Sequence, residues 1–224
     1  MQKPQILDPL RARLVRDGEA LSSEAAAALV AYHDLLVASN SRYALVSPAD
    51  EARIASRHFV ESAGFLRWIP DGRVRVLDFG TGGGLPGIVI RILRPASAAV
   101  LLEARERKRV FLRHAVRVLA LSGVRVAGST RELMGEDAAP FDRVLARSVA
   151  PLEEVLPVAA PHLAEGGLLL AAKGSRAHDE AERARSLLAP LGLEWIEHRI
   201  DPLTTRGGER IGLSTLVLRR TASR

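Results

Sequence analysis

The run Val74-Arg75-Val76-Leu77-Asp78-Phe79-Gly80-Thr81-Gly82-Gly83-Gly84-Leu85-Pro86-Gly87 leaves this chain few architectures to adopt. It reads as an apolar strand entering a glycine-dense turn and then a helix. Glycines tolerate positive φ and carry no Cβ, so the backbone of such a turn can pass close to a bulky ligand where any side chain would collide. Pro86 suits the first turn of the helix, because its missing N–H has no partner there and its φ is already helical. The expectation is a nucleotide-like ligand held against a helix N-terminus. Beyond a helix predicted over 87–94, a second apolar stretch, Ala98-Ala99-Val100-Leu101-Leu102, ends in Glu103. That acid stands about 20 residues past the turn, where nucleotide-binding βαβ units place the carboxylate that accepts from ribose hydroxyls.

Two ligand classes share this grammar. Gly82, Gly84 and Gly87 satisfy G-x-G-x-x-G, the fingerprint of a dinucleotide bound by its pyrophosphate. The run begins earlier, however, as Asp78-x-Gly80-x-Gly82-x-Gly84, a spacing that resembles the D/E-x-G-x-G-x-G of S-adenosylmethionine-dependent methyltransferases. That donor has no diphosphate: the turn would pack on its methionine and ribose parts, and Asp78 would meet its amino-acid end.

The remainder of the chain narrows the choice. A helix opens at Ser22 or Ser23 and extends through Ala25 to Val37 until Ser39-Asn40-Ser41 breaks it, and a second starts at Ser47-Pro48, with Ile54, Phe59, Ala63 and Leu66 at helical spacing. The turn Pro70-Asp71-Gly72 delivers the chain into the first strand. Later strands are predicted over 124–127, 141–147, 168–173, 193–200 and 211–218, with helices over 105–121, 151–163 and 179–188. Strands separated by helices imply a mostly parallel sheet with helices on both faces. The last two strands have only 201–210 between them and must pair as an antiparallel hairpin. The expected α/β fold, a mostly parallel sheet of seven strands ending in that hairpin, resembles the Rossmann-like class I methyltransferase sheet. A helical extension, residues 1–72, would pack on a core of residues 73–224 within one structural domain. A short-chain dehydrogenase would also need Tyr-x-x-x-Lys after the turn, whereas Tyr32 and Tyr43 both precede it.

Composition excludes further classes. A chain of 224 residues with 47% hydrophobic content and mean hydropathy of +0.07 is of single-domain, globular character. Neither a membrane-length apolar run nor a secretory leader is present, which points to the cytoplasm. Zero cysteines remove disulfides, iron–sulfur clusters and thiol catalysis, and the six histidines have no metal-ligand spacing. Net charge is +6, and Arg105, Arg107, Lys108, Arg109, Arg113, His114 and Arg117 crowd one helix whose apolar members Val110, Phe111, Leu112, Val116 and Leu119 face a core. The basic face must look outward, either as a solvated surface or as a footprint for nucleic-acid phosphates.

These residues reach a known family. Gly80-Thr81-Gly82-Gly83-Gly84-Leu85-Pro86-Gly87-Ile88 resembles the G-T-G-x-G-L-P-G-I of RsmG, also called GidB, the bacterial small-subunit ribosomal RNA guanine-N7 methyltransferases. Asn40-x-x-Tyr43-x-Leu45 is similar to the family's N-x-x-Y-N-L, Arg57-His58-x-x-Glu61-Ser62 to R-H-x-x-D-S, and Lys108-Arg109-Val110-Phe111-Leu112-Arg113 to K-R-x-x-F-L. Phe141-Asp142-x-Val144-x-Ala146-Arg147 resembles F-D-x-V-x-S-R, Ala172-Lys173-Gly174 resembles L-K-G, and Gly208-Glu209-Arg210 resembles G-E-R. Ala44, Val46 and Glu61 depart from the pattern, and those departures fall on the RNA side rather than on the cofactor turn.

The resemblance implies S-adenosyl-L-methionine as cofactor, bound by Asp78, Gly80, Gly82, Gly84, Leu85, Glu103, Arg131, Glu132 and Arg147. Glu103 would take the ribose hydroxyls, and Arg131 and Glu132 the adenine edge. Arg147 and Lys173, ending adjacent strands, would close the site and position the reactants. On the RNA side would stand Asn40, His58, Arg105, Lys108, Arg109, Arg113 and Arg210, with His58 equally readable as a packed or capping histidine. Phe65, Trp68 and Trp195 are expected in the core rather than stacked on bases. The implied partner is 16S ribosomal RNA or the small ribosomal subunit, met by a monomer with no obligate protein partner and no metal. Methylation of another RNA or a small molecule, and a non-catalytic RNA-binding module with a retained cofactor pocket, are the alternatives.

Overall fold

A computed structural model of the chain describes residues 3–133, 139–204 and 210–222. Seven strands, β1 (Arg75–Phe79), β2 (Ala98–Leu102), β3 (Val124–Ala127), β4 (Phe141–Arg147), β5 (Leu163–Lys173), β6 (Leu193–Thr204) and β7 (Arg210–Arg220), form one sheet in the order β3-β2-β1-β4-β5-β7-β6. Strands β1 to β5 run parallel, and β7 is antiparallel to both β5 and β6. The expected hairpin thus closes the sheet, with β7 inserted between β5 and the edge strand β6.

Side chains alternate between sheet faces with a period of two, and both faces are dry. Val76, Leu101, Leu145 and Leu170 point to one face, where they meet helices α1 (Asp8–Arg16), α2 (Ser23–Tyr43), α3 (Val60–Ala63), α4 (Gly87–Leu93) and α5 (Glu106–Val118). Leu77, Val144, Leu169 and Leu218 point to the other, covered by α6 (Leu152–Ala159) and α7 (Ala177–Leu188). The N-terminal section shares the first of these cores, with Leu7, Leu29, Leu36 and Phe59 all fully buried in it. Among the described residues no helix is long and apolar enough to cross a membrane.

Local chemistry moves several expected boundaries. Helix α2 does not stop at Ser39-Asn40-Ser41 but continues to Tyr43 and ends at Ala44 in the left-handed region, φ 50°. Asn40 allows this, since its Oδ1 accepts from the N–H groups of Leu45 and Val46, both at 2.9 Å, and so satisfies the chain leaving the helix. The helix predicted after Pro48 is instead a series of short pieces: a 3-10 turn Pro48–Arg53, a π turn Ile54–Phe59, α3, and a 3-10 turn Leu66–Trp68. Strand β5 starts at Leu163, five residues earlier than expected. Its register jumps, pairing Phe141 with Leu163 but Arg143 with Leu168, because Gly166 at φ +73° lets the intervening residues loop out. Trp195, expected in the core, lies on the edge strand and is 36% exposed, next to an irregularity in the β6 register.

Candidate active site

Chain order along the sheet reverses between β1 and β4, and ligands of open α/β sheets bind at the carboxyl edge of such a switch point. The glycine turn leaves β1 there. Gly80 and Thr81 donate their N–H groups to Leu102 O at 2.9 and 3.0 Å, which ties the turn to the end of β2. Gly82 then donates to Glu103 Oε2 at 3.0 Å, while Arg105 N–H donates to Oε1 at 2.9 Å. Glu103 is therefore fixed at the lip of the turn, 8% exposed, with lone pairs to spare.

Asp78 occupies the position that decides between the two ligand classes. Its Oδ2 accepts from Gly87 N–H, the first residue of α4, at 2.7 Å, and from the Thr81 hydroxyl. Ile88 N–H is bonded to Gly84 O. The start of α4 is thus already served, chiefly by a carboxylate, and a diphosphate seated there would meet a like charge. The N–H groups of Gly87 and Ile88, at the helix start where the sequence places a ligand, are thus bonded within the chain. The other oxygen, Asp78 Oδ1, is buried without a hydrogen-bond partner among the described residues. Burial pushes the carboxyl up to about 6, with Glu103 adding to the rise and Thr81, Gly87 and Arg147 opposing it. An ammonium arriving at Oδ1 would relieve that cost, and the amino-acid end of S-adenosylmethionine carries one.

Within the turn the glycines do different work. A Cβ on Gly84 would come within 2.5 Å of Ile88 Cδ1, so that position is one of close packing. A Cβ on Gly82, at φ +61°, would meet only Lys108 Nζ at 3.9 Å, so its outer side is open to a ligand. Leu85 is 4% exposed and belongs to the core beneath the turn. From below, Tyr32 of α2 donates its hydroxyl to Gly83 O at 2.7 Å and stacks on Phe59 with ring centroids 5.6 Å apart. The sequence alone gives Tyr32 no part in the site. A lone tyrosine 51 residues before the turn offers no spacing signal to reveal one.

The side chains expected on the far lip are brought together only in part. Arg147, the last residue of β4, donates from Nη1 to Glu61 Oε2 at 2.7 Å, and the same nitrogen lies 3.1 Å from His58 Nδ1. Lys173 is turned away into a buried pair with Glu180, 2.9 Å, and also donates to Ala150 O. Since Glu180 Oε2 accepts Leu152 N–H at 2.9 Å, this lysine fastens the loop after β4 to α6 and α7 rather than reaching a reactant.

Of the basic helix, Arg105, Arg107, Arg113 and Arg117 are exposed, and Arg113 is paired with Glu106 at 2.5 Å. Arg109 folds back to donate to Glu103 O at 2.8 Å and to Ala104 O, so it braces the end of β2 instead of facing outward. Lys108 leans over the open side of Gly82 instead of facing outward with the arginines. Asn40, 6% exposed, is spent on its cap and on Glu51 at 2.7 Å. Arg131 and Glu132 are both exposed in the loop after β3, where Glu132 accepts from Gly128 N–H at 3.0 Å. Arg210 starts β7, but its side chain lies outside the described residues, as do Gly208 and Glu209.

The strand order, the open glycine turn and the carboxylate-capped helix define a Rossmann-like methyltransferase. Among solved structures, TYW2 of M. jannaschii, crystallised in complex with AdoMet, superposes with a TM-score of 0.56 at 17% identity over 74% of this chain and 77% of that one. The family model for rRNA small subunit methyltransferase G matches residues 25–197, and the chain belongs to that family. Ribosomal RNA small subunit methyltransferase G of Thermobifida fusca is 38% identical over 193 residues, covering 86% of this chain and 78% of its own. The protein of that name from Xanthomonas campestris pv. campestris strain 8004 is 36% identical over 194 residues, covering 86% and 87%.

Proposed function

We propose that the chain transfers a methyl group from S-adenosyl-L-methionine to N7 of a guanine in 16S ribosomal RNA, in the cytoplasm. The observation that carries this reading is the family match across residues 25–197, which includes both the glycine turn and Arg147. Asp78 Oδ1 and the open side of Gly82 suit the donor's amino-acid end and body, and Glu103 suits its ribose hydroxyls. The bound donor supplies an electrophilic methyl group on sulfonium sulfur.

Guanine N7 carries an in-plane lone pair and attacks without losing a proton, so no general base is required. What remains for the protein is alignment and exclusion of water, from which proximity effects draw most of their rate. Arg147, at the end of β4, would hold the acceptor side. The exposed arginines of α5 would take the RNA backbone, and the base itself must come from an unpaired segment, because duplex grooves hide it from in-line attack. Mapping N7-methylguanine in 16S RNA from cells with and without the gene tests the reading: one modified position is expected to vanish on deletion and return on complementation. An unchanged map would overturn it.

A further inference from the structure

Resting on the methyl-transfer reading above, we propose that Glu61 is a positioning residue for the reaction, acting through Arg147. An arginine at a strand end is a long side chain with roughly 2 kcal/mol of rotamer entropy to lose before it can hold anything in place. Here that freedom is already removed. Glu61 Oε2 holds Nη1 at 2.7 Å, with the two side chains only 7% and 10% exposed, and His58 Nδ1 flanks the same nitrogen at 3.1 Å. Glu61 Oε1 is held in turn by Arg57 Nε at 2.8 Å, and Arg57 Nη1 by Asp50 at 2.6 Å. The Ser62 hydroxyl donates to His58 O at 2.6 Å. All four named members of Arg57-His58-x-x-Glu61-Ser62 therefore form a single bracket whose outlet toward the sheet, among the described residues, is Arg147.

Two features argue that the bracket serves alignment and not stability. Buried ion pairs of this kind seldom stabilise more than well-packed apolar residues in the same place. Moreover, both bracket contacts fall on Nη1, and among the described residues neither Nε nor Nη2 of Arg147 has a hydrogen-bond partner. One edge of the guanidinium is clamped from the N-terminal section, and the opposite edge remains for an acceptor oxygen of the RNA.

The test compares wild type with E61Q, E61D, R147Q and the double variant E61Q/R147Q. Methylation of transcribed 16S RNA is measured under steady-state and single-turnover conditions, and donor affinity by calorimetry. E61Q is expected to lower kcat by about tenfold or more, the scale set by misplacing a reacting partner, with KM for RNA and donor Kd changed by less than about threefold. E61D, which keeps the charge, should recover most of the rate, and the double variant should be no slower than R147Q, since a residue acting only through Arg147 has nothing further to lose. A competent wild type matched by E61Q, or a double variant slowed by the product of the two single effects, overturns the proposal alone. A wild type that binds the donor but methylates no RNA overturns the functional reading and the proposal with it. Should E61Q fail to fold by thermal melting, the comparison of E61Q/R147Q with R147Q decides, because the double variant leaves no buried charge alone: equal rates support the bracket and a slower double variant refutes it.

Discussion

The proposed donor site rests, at the scale of single atoms, on Gly82 and Asp78. A side chain at position 82 would enter open space on the ligand side, and Asp adopts the left-handed φ of +61° at a cost of about 1–2 kcal/mol, so Gly82→Asp should leave the far-UV spectrum unchanged while donor affinity falls by about 100-fold or more, as read by calorimetry. Retained affinity would remove Gly82 from the site. Asp78 makes a prediction about pH. Its carboxyl is raised from 3.8 to about 6, so the folded state holds the proton more tightly than the unfolded chain does. Stability associated with that proton is present below about pH 4 and is lost as pH rises through 6, by an amount on the order of 3 kcal/mol. Asp78→Asn should flatten this part of the pH–stability curve in the free protein and weaken donor binding. Equilibrium unfolding at pH 4 and pH 8 checks the first effect, and calorimetry the second.

Helix α5 shows what an element adds to its residues. Arg105 and Arg113 point outward, whereas Arg109 is bound to the carbonyls of Glu103 and Ala104, so charge reversal at Arg109 would disturb the end of β2 as well. Arg105→Glu with Arg113→Glu is expected to weaken RNA binding and to reduce the slope of log affinity against log salt by about 0.7 for each phosphate no longer neutralised, with donor affinity intact. An unchanged slope would exclude these side chains from the interface. Much of this architecture is legible in the chain itself. The strand, glycine turn and Glu103 are local, and their spacing alone places them together; the hairpin is equally plain, because no helix fits between β6 and β7. Other features lie beyond any local pattern. Glu61 and Arg147 meet across 86 residues, and Tyr32 reaches Gly83 across 51. Ile54 and Phe59 fit a regular helix in sequence, yet they bound a π turn, with both side chains buried. A run of basic residues likewise does not reveal which member folds back onto its own strand.

At the level of the whole molecule, the N-terminal section and the sheet share one hydrophobic core. Leu36 and Leu45 pack against Gly83, Tyr32 supports the turn, and Glu61 clamps Arg147, so the section that precedes β1 shapes both lips of the site. A chain begun at Arg73 would expose the sheet face now covered by Leu7, Leu29, Leu36 and Phe59, and it is expected to lose its cooperative thermal transition. A sharp melting curve from that fragment would show the section to be dispensable. The most direct test of the assigned chemistry is incubation of the purified protein with labelled S-adenosylmethionine and unmodified 16S RNA, followed by mass spectrometry of the RNA digest. The predicted result is one labelled N7-methylguanine per molecule; label on another atom or another base, or none at all with a wild type that binds the donor, would contradict it.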